Sequence, residues 1–142
     1  MSQSKEAKVT VECVANVSVE KAWEVWTGVD HIVQWNAASA DWHTTRAEND
    51  LTVGGRFTSR MEAKDGSVGF DFEGVYTEVE HLKVIKYHMD DGRTVEVIFT
   101  TIDESTTRVT EIFDPENLHP VEFQKQGWQA IIDNFKAHAE SV

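Results

Sequence analysis

Glu111 is the residue whose surroundings in this sequence point most directly to chemistry. It falls in the segment Thr107–Phe113, and the two-residue period of a strand puts it on the same face as Val109 and Phe113. A carboxylate turned into an apolar face must find a partner, take on a raised pKa or lose several kcal/mol of hydration. Tyr87, His88, His43 or a polar group of a bound molecule are the partners on offer. A carboxylate in a greasy cavity is also a general acid or base. The plainer alternative is a strand-end Glu that meets water beside Arg108, and the residues alone leave both readings open.

The second feature is a set of large apolar side chains that the spacing brings to one side. Phe57 and Met61 share a strand face, as do Phe70 and Phe72, and Tyr87, Phe99 and Phe113 follow in later strands. Trp128, Ile132 and Phe135 recur at helical spacing near the end of the chain. Such a wall binds a flat apolar ligand well, since each ring offers a large contact area and loses few rotamers. The same side chains are equally able to fill the space solidly. Trp35, Asn36, Trp42 and His43 flank a small polar stretch that would sit over the mouth of any cavity. Trp35 is expected to pin core elements, and Trp42 and His43 to act as lid or polar contact.

Other chemistry is not encoded. His31, His81, His88, His119 and His138 have no ligand-type spacing with one another, so no metal is expected. Cys13 is the single cysteine, which excludes an internal disulfide and favours a buried inert thiol. There is no phosphate-binding Gly-x-x-x-x-Gly-Lys loop, no Gly-x-Ser-x-Gly elbow and no dinucleotide fingerprint. No cofactor is expected, and no catalytic residue is assigned.

The elements that must position these residues are legible in the periodicity. Val9, Val11 and Cys13 alternate as a strand that closes at Asn16. Ser18 caps a helix carrying Ala22, Trp23 and Trp26, Gly28 ends it, and Asp30 is expected to cap a second short helix through Trp35. From Trp42 the period becomes two. Asp65-Gly66 and Asp91-Gly92 mark hairpin turns, Asp103-Glu104-Ser105 a third, and the strands between them form an antiparallel meander. His119 to Glu140 reads as one long amphipathic helix with Phe123, Gly127, Trp128, Ile131, Ile132 and Phe135 on its apolar side. A long helix and a curved sheet, each with one apolar face, are expected to pack on each other as an α+β fold. Asp71, Glu73, Glu78 and Glu80 are expected on the outer, solvated face.

Length and charge bound the rest. The 142 residues suit one domain spanning 1–142. A balance of 13 Lys plus Arg against 25 Asp plus Glu gives a formal charge of −12, which repels nucleic acid and anionic membrane surfaces. Apolar runs reach only three residues, as in Val97-Ile98-Phe99, and the first residues lack the apolar stretch of a secretory signal, so the expected location is the cytoplasm.

Taken in order, the first strand, Ser18-Val19-Glu20-Lys21-Ala22-Trp23-Glu24-Val25-Trp26-Thr27, Trp35, Asp50-Leu51-Thr52-Val53-Gly54-Gly55-Arg56-Phe57, the meander with Gly74 and a closing helix with Gly127-Trp128 resemble one family. This is the Hsp90-ATPase-activator-homologue-like branch of the START/Bet v 1 superfamily, and the resemblance covers nearly the whole chain. It implies a helix-grip fold, in which about seven antiparallel strands curl around the C-terminal helix and two short helices follow the first strand. It also implies a cavity for a small hydrophobic molecule between sheet and helix. The ligand contacts would come from Trp35, Trp42, His43, Phe57, Met61, Phe70, Phe72, Tyr87, Phe99, Glu111, Phe113, Trp128, Ile132 and Phe135. The expected role is therefore a ligand-binding protein. Alternatives are a cyclase- or hydrolase-type enzyme using the same cavity, and an interaction or stress-response protein that docks on an Hsp90-type chaperone. Monomer and homodimer both accord with the sequence.

Overall fold

The computed structural model of the protein describes residues 8–142. Strand β1 (Val9–Ala15) leads into helices α1 (Val19–Thr27) and α2 (Val29–Trp35). Six strands follow: β2 (Trp42–Asn49), β3 (Arg56–Ala63), β4 (Gly69–Glu80), β5 (Val84–Met89), β6 (Thr94–Asp103) and β7 (Thr106–Phe113). The chain closes with α3 (Val121–Ser141). All strands join one antiparallel sheet in the order β1-β7-β6-β5-β4-β3-β2, so β1 crosses the sheet's end to pair with the last strand. The sheet curls around α3, and the architecture is the helix-grip fold.

Local chemistry explains the boundaries. The Ser18 side chain accepts the Lys21 N–H at 3.1 Å and caps α1. Asp30 is the expected cap of α2, but the helix begins two residues earlier, at Val29, with Gly28 at the cap and Asp30 inside the first turn. There its charge still favours the positive end of the helix dipole. Pro120 precedes α3 directly, so the helix starts at Val121 rather than His119, with no side-chain cap. Gly66 and Gly92 adopt φ of 79° and 91°, the left-handed values that the two hairpin turns require. Alternation is close to ideal in β1, β5 and β7, while bulges interrupt the pairing at Thr44/Arg46 and Tyr76/Glu78 and help the sheet bend.

At Gly74, two residues before the bulge at Tyr76/Glu78, the sheet leaves no room for a side chain. A Cβ there would stand 2.7 Å from the His88 carbonyl oxygen and 2.9 Å from the Phe57 ring. Gly74→Ala is therefore expected to lower stability by about 1–3 kcal/mol through overpacking against backbone. An unchanged midpoint in urea unfolding would show that the sheet has slack at this position.

The core is solid at one end and hollow at the other. α3 packs against β1, and its later turns meet α1 and α2, whereas β2, β3 and β4 curl over it without comparable approach. At the solid end Phe135 lies 4.9 Å from Trp26 and 5.3 Å from Trp35, and Trp23 lies 5.1 Å from Phe99, measured between ring centroids. The Trp35 indole N–H donates to the Val25 carbonyl at 2.9 Å. His31 of α2 and His138 of α3 approach to 3.0 Å between ring nitrogens and tie the helices together. On the outer face Arg56 pairs with Glu73, Arg60 with Asp71, and Lys86 with Glu78, as the solvated acidic face requires. No helix of the described residues is long and apolar enough to cross a membrane.

Candidate functional site

The hollow end is a cavity of about 830 Å³ between the concave sheet and the first half of α3. That volume lies within the ~300–1,000 Å³ range of sites that enclose small molecules. Its floor is aromatic. The Phe57 ring meets Tyr87 edge-on at 4.6 Å, and Trp128 stacks on Phe113 at 3.9 Å with the planes only 10° apart. Phe72 reaches the other side of Trp128 at 6.3 Å. These rings pack edge-on and stacked against one another around the open space.

Glu111 lies in this wall and is only 6% exposed. Its strand neighbours are Val11 on β1 and Val97 on β6, exposed by 1% and 2%. Burial pushes its carboxyl up from 4.5 to about 8, and among the described residues no hydrogen bond or charge offsets that effect. None of the partners the sequence offered meets it. His88 Nδ1 faces the Met89 carbonyl at 3.3 Å, and Tyr87 is itself buried, its phenol held well above the usual range by desolvation and by the Glu111 charge. The carboxyl is neutral at pH 7 and has unused donor and acceptor capacity directed at the cavity.

The rim comes from four places. The loop after α2 brings Asn36, Ala38 and Ser39; the starts of β2 and β4 bring Trp42 and Phe70; the β5–β6 turn brings Arg93; and the segment before α3 brings Glu116 and His119. Gln124 fixes that last segment. Its carbonyl accepts the Glu116 N–H at 2.8 Å, and its amide donates to the carbonyls of Glu116 and His119 at 3.0 and 2.8 Å. A second clamp joins the wall to α1: the Tyr76 hydroxyl donates to Asn49 Oδ1, and Asn49 Nδ2 donates to the Thr27 carbonyl at 2.8 Å.

Of the residues expected around a ligand, Trp35, Trp42, Phe57, Met61, Phe70, Phe72, Tyr87, Glu111 and Trp128 line the cavity. Five do not. Phe99, Ile132 and Phe135 belong to the solid end, Phe113 lies behind the Trp128 ring, and His43 pairs with Glu62 across the β2–β3 ladder outside the lining. Periodicity put them on the inward face, but the inward face is divided between packed core and open space. Phe123, expected on the buried side of the helix, is 63% exposed because it sits in the first turn of α3, at the rim.

The fold agrees with the family that the sequence matches. Residues 16–140 match the family model described as Activator of Hsp90 ATPase homolog 1-like protein. The chain belongs to that family. It is similar, at 47% identity, to an AHSA1-like protein from Aeromonas hydrophila whose solution structure superposes with a TM-score of 0.88, covering 95% of this chain and 93% of that one. A protein from Cytophaga hutchinsonii is 46% identical, with a TM-score of 0.82 and coverage of 94% and 92%. A Nitrosomonas europaea protein at 18% identity and a TM-score of 0.81, covering 94% of each chain, shares the fold. No curated protein matches the chain.

Within this family member the sequence reading missed Asn49, Tyr76, Gln124 and Gly127 as parts of the cavity wall. Tyr76 was legible on the inward face with Phe72. Asn49 and Gln124 carry no periodic signal, because their place depends on which loop folds over them. Gly127 lies one turn from both Gln124 and Ile131, and a Cβ there would meet nothing within 4 Å.

Cys13 lies in the buried face of β1, and burial, followed by the charge of Asp133, pushes its thiol up to about 12. It is expected to resist a thiol reagent such as dithiobisnitrobenzoate in the native protein and to react fully once the chain is unfolded in guanidinium. Rapid modification under native conditions would show that β1 opens readily.

Proposed function

We propose that the protein holds a small hydrophobic or amphipathic molecule between the sheet and α3, with Glu111 as its polar anchor. The observation that carries this reading is an open aromatic-walled space with one buried, unpartnered carboxyl in it. Solid cores do not leave such a group without a partner, whereas a ligand that brings its own polar atom would satisfy it. Trp42, Phe57, Met61, Phe70, Phe72, Tyr87 and Trp128 would supply the apolar contacts, and Trp35 the back of the pocket.

Native mass spectrometry of the protein purified from its own host tests the role directly. A co-purifying small molecule that is released on denaturation is the expected result. Protein free of any small molecule, together with binding to an Hsp90-type chaperone, would favour the interaction role instead. A carboxyl that titrates near neutrality is also suited to proton transfer. Glu111→Gln separates the two uses of the cavity: a carrier retunes its affinity, while an enzyme loses turnover at unchanged fold.

A further inference from the structure

We infer that the cavity selects amphipathic amines, molecules with a flat apolar body and a protonated amino group that seats on Glu111, over the matching alcohols and carboxylates. This selection presupposes the ligand-holding role proposed above and adds the class of head group to it.

Glu111 is buried between two valines, and no donor among the described residues reaches it. An ammonium group complements it fully, since it has three N–H donors and the opposite charge, and charge-assisted hydrogen bonds are the strong ones. A ligand carboxylate would set like charge against like. Tyr87, Phe57, Phe72 and Trp128 line the same cavity, and an aromatic ring attracts a cation where its face is open to it.

The charges at the rim are largely paired with one another. Glu116, at the rim, is bonded to His119, and the one guanidinium there, Arg93, has its Nε held by Asp91 at 2.7 Å. His119 is engaged by Glu116 at 3.1 Å. With a formal charge of −12 on the whole chain, the field at the mouth draws cations in and turns anions away.

Seating an ammonium has a proton consequence. Free Glu111 keeps its proton at neutral pH, and an arriving ammonium expels it, so amine binding releases a proton to the buffer. The other titratable groups facing the carboxyl do not take part in this exchange. Tyr87 on β5 and Cys13 on β1 stay neutral because burial raises both, Val97 on β6 does not titrate, and Gln124, Gly127, Trp128 and Ile131 are the groups α3 presents. Arg93, Glu116 and His119 stand at the rim.

Calorimetric titration with naphthylethylamine, naphthylethanol and naphthylacetate, which share one flat body, tests the selection. At about pH 7.5 the amine should bind roughly 10-fold or more tightly than the carboxylate and more tightly than the alcohol. Heats measured in two buffers of different ionisation enthalpy should show proton release for the amine alone. In Glu111→Gln the amine should lose its advantage to within about 2-fold. Equal binding of amine and carboxylate, or an amine preference that survives Glu111→Gln, overturns the selection and leaves the ligand-holding role standing. Failure of all three probes to bind overturns both.

Discussion

Wild-type protein unfolded in urea at about pH 5 and again at about pH 8.5 is expected to be markedly less stable at the higher pH, and Glu111→Gln to lack that loss. The folded pKa of Glu111, about 8, lies above the ordinary 4.5. The folded state therefore holds a proton through a window in which the unfolded chain has released it. The stabilisation is complete below about 4.5, declines as pH rises and is gone above about 8. At about 1.4 kcal/mol per unit, the ceiling on this single group is on the order of 5 kcal/mol, a large share of a domain's total stability. Gln has the same shape and no titration, so the difference between the two profiles removes the surface carboxylates common to both. Parallel profiles would mean that water or an unrecognised donor already solvates the carboxylate, and the anchor role would fall with them.

Gly127 should show opposite responses to two substitutions. Glycine inside a helix is destabilising by roughly 0.5–1 kcal/mol relative to alanine, and a Cβ at this position meets open space, so Gly127→Ala should raise stability by about that amount. Gly127→Leu extends into the volume a ligand would occupy. Fold and stability should survive, while affinity for the naphthyl probes falls roughly 10- to 100-fold, the equivalent of a few kcal/mol of overlap. Retained affinity in Gly127→Leu would place the occupant elsewhere. Nothing packs against the position Gly127 leaves open, so packing does not account for a glycine there.

The strands and helices were legible because their signals are local. Alternation in Val9–Cys13 and Thr94–Phe99, the Asp-Gly turns and the helical spacing of Trp128, Ile131, Ile132 and Phe135 each lie within a dozen residues. The cap of α2 was misplaced because Asp30 is a good capping residue next to a glycine that takes the position without a side-chain bond. The strand face of Glu111 points inward in the sequence, but the residues alone leave its burial open; in the fold it is 6% exposed. Its lack of a partner was not legible either, because the identity of the neighbours depends on pairings with Val11 and Val97 that lie 100 and 14 residues away in sequence. The division of the inward face between solid core and open space was equally invisible. Phe135 and Phe72 have the same chemistry, and only the three-dimensional tilt of α3 toward β1 decides which one is covered.

The pairing of β1 with β7 bears on how the chain assembles. β2 to β7 can zip together hairpin by hairpin through near-neighbour contacts, but β1 has no partner until β7 is in place, and α3 rests mainly on β1. Closing that long loop is entropically slower than any of the hairpin steps. Strand β1 and helix α3 are therefore expected to dock as one late cooperative unit. The apolar face of the meander stays uncovered until α3 has been made and docks on it. Amide exchange should accordingly report β1 and α3 opening together, as a unit separate from the central hairpins.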